Sequence, residues 1–278
     1  MSVCALALVA WLAAGCASSP ALPFGPAETA RLAALLPADA LLLGEQHDAA
    51  EHQQLEHRVV QWLAARGELA ALAIEMAEQG RGTAGLPPSA NQADVRAALA
   101  WNDKGWPWSS YGPMVMAAVR AGVPVLGANL LGARLRQAMA DATLDARLPP
   151  AAFDRQAQRI RQGHCNLLPE PQITPMTRVQ IARDRAMADT VAGARQPGRT
   201  VLLVAGNGHV HRLLGVPAHL PPQVKSKVVM ALAMPAAGNS DADADADDDD
   251  DQAGADLVWP TPPLPARDYC AGVTVPAR

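Results

Sequence analysis

The chain has 278 residues, 50% of them hydrophobic and 18% charged, which is enough to bury one large core or two modest ones. That composition excludes a disordered chain, a coiled coil and a collagen-like fibre, and four cysteines are too few for a disulfide scaffold. The formal net charge of −4 reflects eight aspartates between Asp241 and Asp251; the remainder is mildly and diffusely basic, which argues against a nucleic-acid partner.

Residues 1–15 form one apolar run. It has the length of a signal-peptide core and is shorter than the roughly 20 residues that span a bilayer. It ends Leu12-Ala13-Ala14-Gly15-Cys16, which resembles the lipobox of bacterial lipoproteins, where the cysteine is lipidated and becomes the mature N-terminus. The run lacks a Lys or Arg near Met1, and a plain secretory signal before a chance cysteine is the alternative. Ala17 rather than aspartate follows Cys16, the pattern expected of an outer membrane lipoprotein facing the periplasm or the cell surface. No other stretch is long and apolar enough to cross a membrane, so the expectation is a soluble domain held to the membrane by a lipid anchor. With Cys4 in the signal and Cys16 lipidated, Cys165 and Cys270 remain. In an oxidising compartment a disulfide is the natural reading, with two separate buried thiols as the alternative.

Residues 16–37 read as a lipidated N-terminus and tether, 38–270 as the folded domain and 271–278 as a tail. Within the domain, apolar runs at 38–43, 69–76, 123–128 and 200–205 alternate with helical patterns. Asp48 to Arg66 reads as a helix capped by Asp48, with Glu51 in the capping-box position and Leu55, Val59, Trp62 and Leu63 on its buried face. Pro113 to Ala121 reads as a helix with proline at its first position. Helical signals at 130–140, 149–162 and 174–192 indicate a helical insertion at about 141–193, the last helix capped by Thr174 with Pro175 at its start. Runs at 228–234 and 256–259 read as a final strand pair, separated by an acidic segment at 239–254 that is expected to be disordered. Strands apolar throughout, alternating with helices, predict an α/β fold: a mainly parallel sheet flanked by helices, with a small helical subdomain inserted.

The polar residues cluster where each strand ends. Glu45 and His47 follow the first run, Glu75 lies near the end of the second, Asn129 ends the third, and His209 follows the fourth. Gly44-Glu-Gln-His47 and Gly206-Asn-Gly-His209 are two Gly-x-x-His turns. In a parallel sheet all strand ends of one sense line one crevice, where ligands bind. The loop from Trp101 to Tyr111 holds three tryptophans and a tyrosine; Trp106 and Trp108 are candidate walls for a flat apolar ligand. His164 lies between predicted helices and reaches the same cleft if the insertion folds over the rim.

Several stretches together carry a family resemblance. LLLGEQHDAAEHQQLE, ALAIEM, WPWSSYGPMVMAAVRAGVPVLGANL, GHCNLLPE with QIARDRAMAD, and VLLVAGNGHVHRLLGVPAHL resemble, in order, the ChaN-like haem-binding lipoproteins. Through its paired Gly-x-x-His turns that family is similar to a wider superfamily containing erythromycin esterases and the metal-dependent Tiki proteases. The resemblance implies haem or iron acquisition at the cell envelope with envelope haem-transport components as partners, in some members a homodimer enclosing haem, and tyrosine as haem ligand. Of the tyrosines, Tyr111 and Tyr269, the sequence favours Tyr111 for its tryptophan neighbours, with His164 and His209 as rivals.

Two readings follow. The first is a haem-binding module without turnover. The second is a hydrolase, an esterase or peptidase, in which the rim histidines and glutamates hold a divalent metal or activate water. No Gly-x-Ser-x-Gly or His-Glu-x-x-His signature is present, and the lipobox and aromatic loop favour the binding protein.

Overall fold

A computed structural model describes residues 24–234 and 254–273. The expected signal peptide, the lipidation site Cys16, the first part of the tether, the acidic segment up to residue 253 and the tail from residue 274 lie outside the described residues.

Among the described residues, six strands form one parallel sheet in the order β3-β2-β4-β1-β5-β6. They are β1 (Ala40–Glu45), β2 (Leu69–Glu78), β3 (Val125–Asn129), β4 (Thr200–Gly206), β5 (Ser226–Ala233) and β6 (Leu257–Thr261). Side chains alternate between faces along a strand, so a sheet covered on both sides needs strands that are apolar at every position. β1 shows this directly. Leu41 and Leu43 enter the core on one face, and Ala40 and Leu42 enter the core on the other.

The first face is covered by α1 (Pro26–Ala33), α2 (Ala50–Ala65), α3 (Gln92–Ala98) and α4 (Trp108–Arg120), which contribute Leu32, Trp62, Leu63, Val95, Met114 and Val115 to its core. α5 (Leu135–Ala140), α6 (Pro150–Gly163) and the first half of α7 (Glu170–Gly193) enclose a small core of their own around Leu144, Leu148 and Ile181. The expected insertion at 141–193 is therefore only partly separate. α7 runs on from it over the second face of the sheet, where Met187, Ala188 and Val191 are buried. The short helices α8 (Asn207–Val210) and α9 (Val216–His219) follow β4.

Four expectations are corrected. The tether does not reach residue 37, because Phe24, Leu32 and Leu35 are buried in the first core and α1 forms there. α2 begins after Ala49, with no side-chain cap; Asp48 is turned toward the tail instead. α4 begins at Trp108 and carries Pro113 inside it. α7 begins at Glu170, with Pro171 in its first turn and Pro175 inside. Proline suits the first turn of a helix, but packing of Met114 and Val115, or of Ile173, sustains these helices across an interior proline that removes one backbone bond.

Candidate functional site

β1, β2 and β4 are neighbours and parallel, so their carboxyl ends open on one edge. After β1 the chain passes into α2, whose Leu55, Val59 and Leu63 are buried on the first face, and after β4 into α8 and α9, whose Val210 and Val216 are buried on the second. The edge between them is the switch point at which α/β sheets bind ligands.

There the structure brings Glu45, His47, Glu75 and His209 together. His47 Nδ1 donates to Glu45 Oε1 at 2.8 Å, and its Nε2 lies 3.7 Å from Glu75 Oε2. His209 Nε2 is 3.3 Å from Glu75 Oε1. The Gly206 amide donates to Glu75 Oε2 at 2.9 Å. A Cβ at Gly206 would sit 2.9 Å from His47 Nε2, so glycine is needed there for the two turns to close on each other.

Two residues on α7 complete the cluster and were missed in the sequence. His209 Nδ1 donates to Asp184 Oδ1 at 2.5 Å, and Gln180 approaches the same ring at 3.1 Å. Their spacing of four places them on one helix face, a face shared with buried Ile181, Met187 and Ala188. An aspartate one turn from a glutamine amid such residues is the signal that could have found them.

Charge in this array is set by burial and pairing. Burial opposes the His209 cation, but Glu75 and Asp184 outweigh it and hold the imidazole near pKa 10. Burial raises the Glu75 carboxyl, and His209, His47 and the Gly206 amide outweigh that to hold it at about 2. For Asp184, burial prevails over His209 and leaves it at about 6. Burial likewise opposes the His47 cation, but Glu45 and Glu75 raise its pKa.

Behind His47 the array continues into the first core. Glu45 accepts from Tyr111 Oη at 2.7 Å and from Gln53 Nε2 at 3.3 Å. Glu56 is fully buried on α2, and burial together with the Glu45 charge raises its pKa well above the usual carboxylate range. Gln53 and Glu56 were not anticipated either.

Tyr111 therefore differs from expectation. It is 1% exposed, its proton is committed to Glu45, and burial and that carboxylate raise its pKa. A phenol so placed is a packing and hydrogen-bonding residue and not an available ligand. The tryptophan-rich loop also turns inward. Trp106 packs edge-on against His47, with ring centroids 4.8 Å apart, and Trp108 packs against Trp101 at the same distance. Asn129 bonds the adjacent Leu130 amide, and His164 ends α6 with Nδ1 donating to the Ile160 carbonyl at 2.7 Å. Neither joins the cluster.

An open cleft of about 960 Å³ lies outside the array, lined by Gln46, His47, Asp48, Gln53, Pro107 and Tyr269 among others. The His47 side chain, 42% exposed, connects cleft and array. Tyr269 is 55% exposed. Its hydroxyl donates to Asp48 Oδ2 at 2.9 Å and accepts from Gln46 Nε2 at 2.8 Å. Arg267 stacks over the Tyr269 ring, 5.3 Å from its centroid, and donates to Asp48 Oδ2 at 3.3 Å.

Tyr269 arrives on a segment without secondary structure after β6, and residues 265–273 are all exposed. Exposed polar contacts contribute about 0–1 kcal/mol each, while ordering a residue costs roughly 1–2 kcal/mol. Three such contacts do not offset the ordering of this tail. A covalent tie does more. Cys270 is joined to Cys165, with Cα atoms 5.6 Å apart, and Cys165 stands in the turn between α6 and α7.

Among the described residues, no group of three His, Cys, Asp or Glu side chains is arranged to hold a metal ion, and no helix is long and apolar enough to cross a membrane. A family model described as haem-binding uptake, Tiki superfamily, ChaN matches residues 31–220. Among solved structures the chain is similar to one described as cofacial haem binding to ChaN of Campylobacter jejuni, with a TM-score of 0.61 and 23% identity over 75% of this chain and 87% of that one. At that identity the likeness is one of fold. No curated protein matches the chain.

Proposed function

Because the chain belongs to the ChaN haem-binding uptake family of the Tiki superfamily, we propose that it is a haem-binding lipoprotein of the cell envelope serving haem or iron acquisition, with haem held in the open cleft and Tyr269 as iron ligand. The observation that carries this reading is an exposed phenol at the mouth of a large cleft, with a proton acceptor and a hydrogen-bond donor already on its oxygen.

The donor set fits. Ferric haem accepts a tyrosinate and supplies the positive charge that sustains one at neutral pH. In the ligand-free chain the Asp48 hydrogen bond and charge raise the Tyr269 pKa, so the phenol keeps its proton. Asp48 is placed to accept that proton, and the Gln46 amide to stabilise the oxygen left behind. Arg267 offers a guanidinium suited to a carboxylate such as a haem propionate. Pro107, Gly105 and Ala50 supply apolar surface on the cleft wall.

In this reading residues 1–15 are the signal, Cys16 carries the lipid at the outer membrane, and Cys165 and Cys270 are oxidised in the envelope. A homodimer and envelope haem-transport components are its partners. The metal-dependent hydrolase reading has weaker support, since both ring nitrogens of His209 already face carboxylates.

The test is a haemin titration of Tyr269→Phe beside Tyr111→Phe. Tyr269→Phe is expected to raise the haemin Kd at least tenfold and to abolish the tyrosinate charge-transfer band. Tyr111→Phe is expected to keep both while losing about 1–2 kcal/mol of stability, because Glu45 loses a buried donor. The reverse pattern would return the ligand role to Tyr111.

A further inference from the structure

The haem cleft is unfinished without a segment that the α/β fold itself does not hold. The sheet ends at Thr261. From there the chain crosses the cleft edge through Pro262, Pro263 and Pro265 and presents Arg267 and Tyr269 with no buried apolar anchor. Backbone bonds from Cys270 and Ala271 return only to Asp268, and that of Val273 only to Cys270. The tail thus bonds mainly to itself. Its ties to the cleft are the polar contacts of Tyr269 and Arg267 with Gln46 and Asp48, and the sulfur link to Cys165.

The far end of that link is built differently. Cys165 and Asn166 both adopt left-handed backbone, with φ of +57° and +56°. Asparagine tolerates this region, whereas cysteine there is uncommon and strained. The turn is nevertheless held by bonds from Cys165 to the Gln162 carbonyl, Asn166 to Arg161 and Leu167 to His164, and it joins two long helices. A firmly held cysteine is therefore bonded to a weakly held tail, at the residue next to the cleft tyrosine.

We propose that Cys165 and Cys270 are positioning residues of the haem site: their disulfide presents Tyr269 and Arg267 to the cleft, and haem affinity depends on its oxidation state. This rests on the reading of Tyr269 as haem ligand. A dithiol reductant opens the link by passing two electrons and two protons to it. The sulfur–sulfur bond breaks to two thiols, and the reductant closes to its own disulfide. The tail then leaves the cleft edge while the sheet, the rim and the α6–α7 turn keep their packing.

The experiment uses the oxidised mature chain, the same protein reduced with a phosphine, and the Cys165→Ser/Cys270→Ser double variant. Haemin Kd is measured on each. In a second readout without haem, the rate of trypsin cleavage after Arg267 is followed by mass after quenching and reduction. Reduction and double substitution are both expected to raise the Kd at least tenfold and to speed that cleavage at least tenfold, with the far-ultraviolet circular dichroism unchanged. Should the double variant misfold, the reduced wild type carries the test. Unchanged Kd in reduced protein, while Tyr269→Phe loses affinity, would overturn the positioning role and leave Tyr269 as ligand. Should Tyr269→Phe bind haemin like the wild type, the ligand reading falls, and the haem-free cleavage rates decide the splint alone: equal rates in oxidised and reduced protein overturn it.

Discussion

Both ring nitrogens of His209 face carboxylates, Glu75 on one side and Asp184 on the other. A histidine raised from 6.5 to about 10 contributes stability that is complete below pH 6.5 and is lost as pH rises through 10. Glu75, lowered from 4.5 to about 2, contributes stability present above pH 4.5 and lost as pH falls toward 2. These are two views of one interaction and are not additive; its order of magnitude is about 3 kcal/mol. Asp184 runs the other way. Raised from 3.8 to about 6, it destabilises above pH 6, and protonation relieves that as pH falls. Urea midpoints are therefore expected to fall between pH 6.5 and 10 in the wild type and to lack that slope in His209→Gln. A flat wild-type profile would show that His209 is neutral. The four rim residues were legible because each lies near or just beyond the carboxyl end of an apolar strand, and parallel strands put those ends on one edge; Asn129 satisfied the same rule, but its strand lies beyond β2 and its side chain turns to the Leu130 amide. Gln53, Glu56, Gln180 and Asp184 were not, because a helical residue's destination depends on which face is packed. Tyr111 misled because a dense aromatic neighbourhood serves a core as readily as a ligand wall.

At the level of elements, each run read as a strand is one, with ends displaced by a few residues. Strand signals survive because full burial on two faces demands continuous apolar sequence. Helix starts fared worse: Asp48, Pro113 and Thr174 each carried a local start signal that tertiary packing overrode, and α1 and α3 were not foreseen. α7 is the element with the widest reach, since Ile181 sits in the core of the insertion and Met187 in that of the sheet, both fully buried. Replacing either by alanine is expected to cost about 2–5 kcal/mol. Because one continuous helix serves both cores, unfolding followed by tryptophan fluorescence and by circular dichroism is expected to coincide in wild type and both variants. Separate transitions in Ile181→Ala would show that the insertion melts by itself.

For the whole molecule, the proposed lipid anchor and the proposed oxidised state of the cysteine pair share one premise, an envelope compartment. Cys16→Ser is expected to move the protein from the membrane to the soluble fraction of the envelope without changing its haemin affinity, since the described fold begins at Phe24, beyond the anchor. Retention in the membrane fraction would mean that something other than that cysteine holds it there. The sheet order also governs when the strands can pair during synthesis. β1 is the first strand made, yet it lies inside the sheet between β4 and β5, with Ala40 opposite Val201 and Ser226. Its backbone N–H and C=O groups find no strand partner, and its apolar side chains no cover, until most of the chain has emerged. Closing such distant pairs is slow, and unpaired apolar strands attract one another between molecules. A nascent chain of this protein therefore passes through a long interval of exposure in which dependence on a chaperone is greatest, and that interval ends only when β4 arrives.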